Sequence, residues 1–379
     1  MRGRSGSATV VVRPGADMRA IHCISGETRD SRFEQLTIRD AKTSGPGGAL
    51  WCENSSPSFR DVMFEGCASL TTGGAVYVHG GGPRFVDVTF TNNISYTGGG
   101  ALAVVNATGL VVESSTFANN QARAVEADGG AMLFESSRFD VSGSFLSCNA
   151  SDRDGGVIAV RGGFGTLSRC TLLHNQASAG ASCVSASNAT IALESSILFN
   201  NSEPCTGGAA ITLTRVFSET LFPGSGNRFG DPRMAGRGYR LLPGSPCIDI
   251  GGSETNRVDR DGERAMGHSD IGCDEFVDRD QDGLADSWER MAGGGSACSA
   301  DDDRDGDGLS SAGELAVDTD PGQSDTDGDG IPDGWELQHG LDPRASADAM
   351  ADPDGDTIPA YYQYHYDIPA PSAAGMLSA

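Results

Sequence analysis

The sequence predicts an all-β fold: a right-handed parallel β-helix over residues 1–219, a segment closing it over 220–277, and an acidic loop module with little regular structure over 278–379. Three observations predict it. A Gly-Gly signal recurs through the first half at near-constant spacing. Each copy is followed by a short alternating stretch. The charge then shifts abruptly near residue 277.

The signal stands at Gly47-Gly48-Ala49, Gly73-Gly74-Ala75, Gly99-Gly100-Ala101, Gly129-Gly130-Ala131, Gly155-Gly156-Val157, Ala179-Gly180-Ala181 and Gly207-Gly208-Ala209, at intervals of 26, 26, 30, 26, 24 and 28 residues. Stretches such as Ala75-Val76-Tyr77-Val78 and Ala101-Leu102-Ala103-Val104 follow, and alternation means a strand. A second signal, Phe-x-x-Asn, comes later in each repeat: Phe90…Asn93 and Phe117…Asn120, with Leu172…Asn175 and Leu198…Asn201 keeping the spacing. Phe64…Cys67 and Phe145…Cys148 keep the Phe and place Cys where Asn is expected.

A repeat of this length holds about three short strands and cannot bury its own apolar face, whereas stacked repeats bury a continuous core. Seven to nine coils are expected, with Phe stacked inside as a ladder. Asn is expected at a bend, where it tolerates left-handed backbone and its amide bonds along the stack. The Gly pair serves the other bend. A β-propeller would need a repeat of about 40 residues. The composition agrees: 53 glycines in 379 residues, few aromatics, and one lysine (Lys42) against 26 arginines.

The paired motifs resemble the repeats of polymorphic outer-membrane proteins and the wider family of bacterial right-handed β-helices, over residues 20–220. The resemblance implies the pectin-lyase fold, which hosts lyases, hydrolases and adhesins alike. The run from Gly226-Asn227-Arg228-Phe229 through Pro243-Gly244-Ser245-Pro246-Cys247 to Asp270-Ile271-Gly272-Cys273 resembles the choice-of-anchor Q segment that closes many bacterial surface β-helices. It is expected to cap the open end of the stack. Within it, Asp259-Arg260-Asp261-Gly262 reads as a metal loop or as a turn held by Asp side chains.

Residues 278–379 hold 24 of the 52 carboxylates and 4 arginines, a balance of −20 out of a net −25. Hard cations take six to eight oxygens from a loop that curls around them, with a Gly for the sharp turn and an acid at the twelfth position. Asp278, Asp280, Asp282, Gly283, Asp286 and Glu289 fall at positions 1, 3, 5, 6, 9 and 12 of such a loop. Asp325, Asp327, Asp329, Gly330, Asp333 and Glu336 repeat it. Asp303, Asp305, Asp307, Gly308 and Glu314 do so with Ser311 at the ninth position. In a fourth copy, Asp352, Asp354 and Asp356 are followed by Thr357 for Gly, Ala360 for the ninth ligand and Gln363 for the acid, so that loop is expected to be weak or empty. The pattern predicts Ca2+ as the cofactor. Asp325–Pro343 resembles bacterial thrombospondin type 3-like repeats more closely than an EF-hand or a dockerin, whose flanking helices are longer.

On the β-helix the best catalytic candidates are Asp128, Asp152, Asp154 and Arg153, which adjacent coils bring together with Glu126, Arg123 and Arg161. Pectate lyases on this fold use carboxylate-bound calcium and a basic side chain. The opposing expectation is a solvated charged loop, and the reading leans away from an enzyme. The absence of a basic patch argues against nucleic acid. No run of 18 apolar residues predicts a transmembrane helix. Residues 1–20 have Arg2 and Arg4 but no apolar core, so no signal peptide is read and the true N-terminus is expected to be missing. Ten cysteines without C-x-x-C spacing exclude zinc ribbons and leave disulfides or buried thiols open. The whole reads as a monomeric extracellular or cell-surface calcium-binding protein. It contacts a polysaccharide or another surface protein; the alternative is a calcium-dependent polysaccharide lyase or glycoside hydrolase.

Overall fold

The computed structural model describes residues 10–206, 210–235, 238–252, 258–265, 267–291 and 299–368. They fall into two compact units, residues 1–233 with 245–275, and residues 234–244 with 276–379. The segment expected to close the β-helix is therefore divided: 234–244 belongs with the acidic tail, because Ala235 and Leu242 pack in the cluster of Leu284, Trp288 and Leu315.

The first unit is a mostly β, parallel solenoid. One column of inward residues runs Leu50, Val76, Leu102, Met132, Ile158 and Val184 on six successive parallel strands. Alternation is real: Val76–His79 buries every second side chain. The Phe ladder forms as Phe64, Phe90 and Phe117, with ring centroids 5.0 and 4.5 Å apart. A second aromatic ladder, Phe33, Phe59 and Phe85, stacks at 4.9 and 5.0 Å on the strands Arg32–Arg39, Ser58–Glu65 and Arg84–Thr91. Phe59, Phe64, Phe85, Phe90 and Phe117 are fully buried, each stabilising the stack by about 1.5–3 kcal/mol.

Two sequence alignments shift. In the coil after Phe117 the ladder residue is Leu146, not Phe145, and the bend residue is Asn149, not Cys148. Leu fills the column as an apolar side chain, while only Asn149 can continue the amide ladder. The sixth Gly-Gly equivalent is Ala181-Ser182, not Ala179-Gly180, since Ile158 pairs with Val184. Gly207-Gly208-Ala209 lies outside the described residues.

Each bend stacks on the same bend of the next coil, and each column carries a left-handed residue. Asn54, Gly80, Asn106, Ser136, Gly162 and Asn188 make one column; Asn92, Asn119, Cys148, His174 and Asn200 belong to another. Asn, Asp and Gly are the residues that tolerate this conformation at low cost. The two roles expected of one Asn are thus split. The left-handed residue comes first, and the following Asn, buried, carries the amide ladder. Asn93, Asn120 and Asn149 each donate Nδ2–H to Oδ1 of the next Asn at 2.9, 3.0 and 3.1 Å.

The later part of the closing segment is a strap and not an end cap. Gly272 donates its N–H to the Ser195 carbonyl at 2.9 Å, Ser195 donates to the Gly251 carbonyl at 2.6 Å, and Arg260 donates to the Ser114 carbonyl at 3.3 Å. Ser195 and Ser114 lie three coils apart in one column of left-handed bends, so the strap runs back along one flank of the stack. Asp259 accepts from the backbone N–H of Asp261, Glu263 and Glu275 at 2.9, 2.7 and 3.0 Å. That makes Asp259–Gly262 a turn stapled by its own side chain.

In the second unit, four loops each lead into a short helix: α1 (Asp286–Met291), α2 (Ser311–Val317), α3 (Asp333–His339) and α4 (Ala360–His365). Helices this short are marginal alone and depend on packing. Trp288 is buried in the first cluster, and Trp335 lies against Ile331, Leu341 and Ala360 in the second.

Candidate metal centre

The four loops share one backbone arrangement. The carboxylate at position 1 accepts two N–H groups, at positions 4 and 6. Asp303 accepts from Gly306 and Gly308 at 2.8 and 3.1 Å, and Asp325 accepts from Gly328 and Gly330, both at 2.8 Å. Asp278 does so from Gln281 and Gly283, and Asp352 from Gly355 and Thr357. The position 5 carboxylate accepts from the residue two further on, as Asp329 does from Ile331 at 2.9 Å. Both positions 4 and 6 are left-handed, with φ of 77° and 98° at Gly328 and Gly330. Sequence reading singled out only the second of these.

This winding points the position 1, 3 and 5 carboxylates at one spot. Asp278, Asp280 and Asp282 come together within 4.8 Å, as do Asp303, Asp305 and Asp307, then Asp325, Asp327 and Asp329, and then Asp352, Asp354 and Asp356. The twelfth-position acids sit beneath, on the first turn of each helix. Glu289, Glu314 and Glu336 are 3%, 0% and 0% exposed.

Ten buried carboxylate oxygens among the described residues of the second unit have no hydrogen-bond partner: both of Asp305, Glu314 and Glu336, and one each of Glu289, Asp327, Asp329 and Asp348. Burying a carboxylate without a partner costs several kcal/mol. Burial, reinforced by the neighbouring Asp charges, pushes Glu314 up to about 8 and Glu336 up to about 9. Glu289, Asp305, Asp327 and Asp329 are raised for the same first cause, burial.

The ninth-position aspartates behave differently from expectation. Asp333 accepts from the Thr326 backbone N–H at 2.8 Å and from its hydroxyl at 2.6 Å. Asp286 accepts from the backbone N–H and the guanidinium of Arg279. Each ties position 2 of its loop to the helix that follows, and neither joins the three-carboxylate group of its own loop. Asp348, which sequence reading missed, does join one, with Asp329 and Glu336. In the fourth loop the Gln363 amide donates to Asp354 at 2.8 Å and to Asp356 at 3.2 Å, placing its N–H where a cation would otherwise lie.

The catalytic candidates on the β-helix are brought together, but as bonded pairs. Arg153 donates to both oxygens of Asp128, one at 2.6 Å, and to Glu126. Arg161 donates to Asp128 at 2.5 Å and to Glu135 at 3.1 Å. Asp154 accepts from the N–H of Gly155 and Ala181 at 2.8 and 2.7 Å, and from the Ser185 hydroxyl at 2.6 Å. Asp152 is exposed to solvent. Among the described residues, every group of three or more ligating side chains lies in the second unit.

Stacked parallel coils with Phe and Asn ladders account for the match of residues 23–220, just over half of the chain, to the family model described as a right handed beta helix region. The chain is a right-handed β-helix protein. No curated protein and no solved structure matches it. The β-helix itself fits a surface or polysaccharide-related protein. No helix among its described residues is long and apolar enough to cross a membrane.

Proposed function

We propose that the acidic unit of this β-helix protein binds calcium in its first three loops and that the chain works outside the cytoplasm. There the β-helix presents a contact face to a polysaccharide or to another surface protein, and it is not a catalyst. The observation that carries the reading is the pair Glu314 and Glu336. Each is 0% exposed with both carboxylate oxygens unbonded, and each lies beneath a converging Asp trio. With the carboxylates ionised, that arrangement stabilises a fold only when a cation supplies the missing partner. Calcium is the cation that fits: the donors are all hard oxygens, and among the described residues no His or Cys joins them, as zinc would want. Extracellular modules of this kind bind at about 10⁻⁴–10⁻³ M, so the sites fill where calcium is millimolar. Against a lyase stands the state of Asp128 and Asp154, whose oxygens are taken by Arg153, Arg161 and backbone N–H groups and so are not available for a catalytic ion.

The test is thermal unfolding of the whole chain in millimolar calcium and in excess chelator. At about 1 mM, calcium should raise the transition of the acidic unit by an amount worth about 0.4–1.4 kcal/mol per site, leaving that of the β-helix in place. Coincident melts overturn the reading. Release of unsaturated sugar ends from a polyuronate would overturn its non-catalytic part.

A further inference from the structure

Among the described residues, the third loop differs from the others in drawing a carboxylate from outside its own twelve residues. Asp348 stands twelve residues beyond Glu336, past the end of α3, with no place in the loop pattern. In the fold it brings an oxygen within 4.8 Å of those of Asp329 and Glu336. Its two oxygens are divided. Oδ2 accepts from the Asp342 backbone N–H at 2.9 Å, which closes the turn that α3 leads into. Oδ1 is buried and has no hydrogen-bond partner. Glu336, facing it, is wholly buried with both oxygens unbonded. Three like charges held this close repel by several kcal/mol unless a cation lies between them.

We infer that Asp348 is a calcium ligand of the third loop, reaching it from the following turn. The third site then holds five carboxylates from Asp325, Asp327, Asp329, Glu336 and Asp348. In the second repeat the matching position belongs to Thr326, whose hydroxyl accepts from the Asp320 N–H at 2.9 Å as Asp348 does from Asp342. A hydroxyl there brings no charge, so the third site binds more tightly than the second. Its ion also pins the turn 342–348 onto the loop, coupling calcium to the packing of Leu341 and Ala349 against Ile331.

The inference rests on calcium binding by these loops, and one experiment separates the two claims. The full chain is titrated with calcium chloride in a calorimeter, as wild type, as Asp348→Asn and as Asp325→Asn. Asn at 348 keeps an oxygen for the Asp342 N–H and removes the charge, so the turn is preserved. Asp348→Asn should weaken the tightest site at least tenfold and leave the others unchanged, while melting no lower than wild type in chelator, since it removes one of the repelling charges. Asp325→Asn should remove the same site. If the wild type binds calcium and Asp348→Asn titrates identically, Asp348 is no ligand and only this inference fails. If the wild type takes up no calcium, the underlying reading fails with it.

Discussion

At the residue scale, the two glycines of each repeat signal do different work. Gly73 is left-handed at φ 66°. Gly74 is not, yet a Cβ there would stand 2.0 Å from the Gly100 carbonyl and 2.6 Å from that of Ile94, on neighbouring coils. The first is needed for the bend and the second for the stacking distance, which parallel pairing sets at about 4.8 Å. Gly74→Ala should therefore cost at least about 3 kcal/mol or prevent folding, whereas Gly109→Ala, with nothing within 4 Å of the new methyl, should stay within about 0.5 kcal/mol. Urea denaturation of the two variants decides it, and equal stabilities would mean that the coils can part locally without penalty. The Asn ladder follows the same logic of position. Asn149 bonds both ways along the column, while Cys67, at the near end, joins it by donating its backbone N–H to the Asn93 side-chain Oδ1 at 2.9 Å.

At the element scale, the loop-helix unit sets the first three copies, proposed as cation sites, apart from the fourth. Its winding is intact, but Thr357 holds the left-handed sixth position at φ 74°, costly for a β-branched residue, and Gln363 fills the centre with its own amide. Gln363→Glu should turn an internally satisfied loop into a fourth repelling cluster and so into a fourth site. Calcium stoichiometry by equilibrium dialysis should rise from three to four, and more fully when Thr357→Gly is added. A stoichiometry that stays at three would show that the ninth position, Ala360 here, is indispensable. That outcome would reassign the ninth-position Asp of the other loops, where Asp333 and Asp286 bond position 2.

At the scale of the whole molecule, the pH response of the acidic unit is set by its buried carboxylates. The acidic unit carries most of the net −25 and the buried unbonded carboxylates, with Glu314 and Glu336 raised by burial from 4.5 to about 8 and about 9. In chelator these groups keep their protons in the folded unit at pH values where the unfolded chain has lost them. Their contribution to stability is complete below about pH 4.5 and is lost as pH rises through 8 to 9, at up to about 1.4 kcal/mol per pH unit for each group. On the proposed reading, calcium binds the ionised form and should reverse the trend. Chelator melts at pH 5 and pH 8.5 should show the acidic unit losing stability with rising pH, and calcium melts should show it gaining. A pH-independent chelator melt would mean that these side chains are solvated in the cation-free protein.

Much of this was legible in the sequence because both repeats are closed within a short window. One coil or one loop carries its own turn residues, its own alternation and its own donors, so spacing alone predicted the parallel β-helix and the converging Asp trios at Asp278, Asp303, Asp325 and Asp352. What depends on a neighbour was not legible. Whether Phe145 or Leu146 enters the ladder is settled by the coil below, since both are apolar and only one stacks on Phe117. The strap along the flank, the passage of 234–244 into the acidic unit and the saturation of Asp128 by two guanidiniums arise from long-range contacts that no local spacing encodes. Asp348 is the clearest instance. In the sequence it is a lone acid among alanines, and only the turn after α3 carries it to Glu336, because a carboxylate's role is set by the charges around it and those come from the fold.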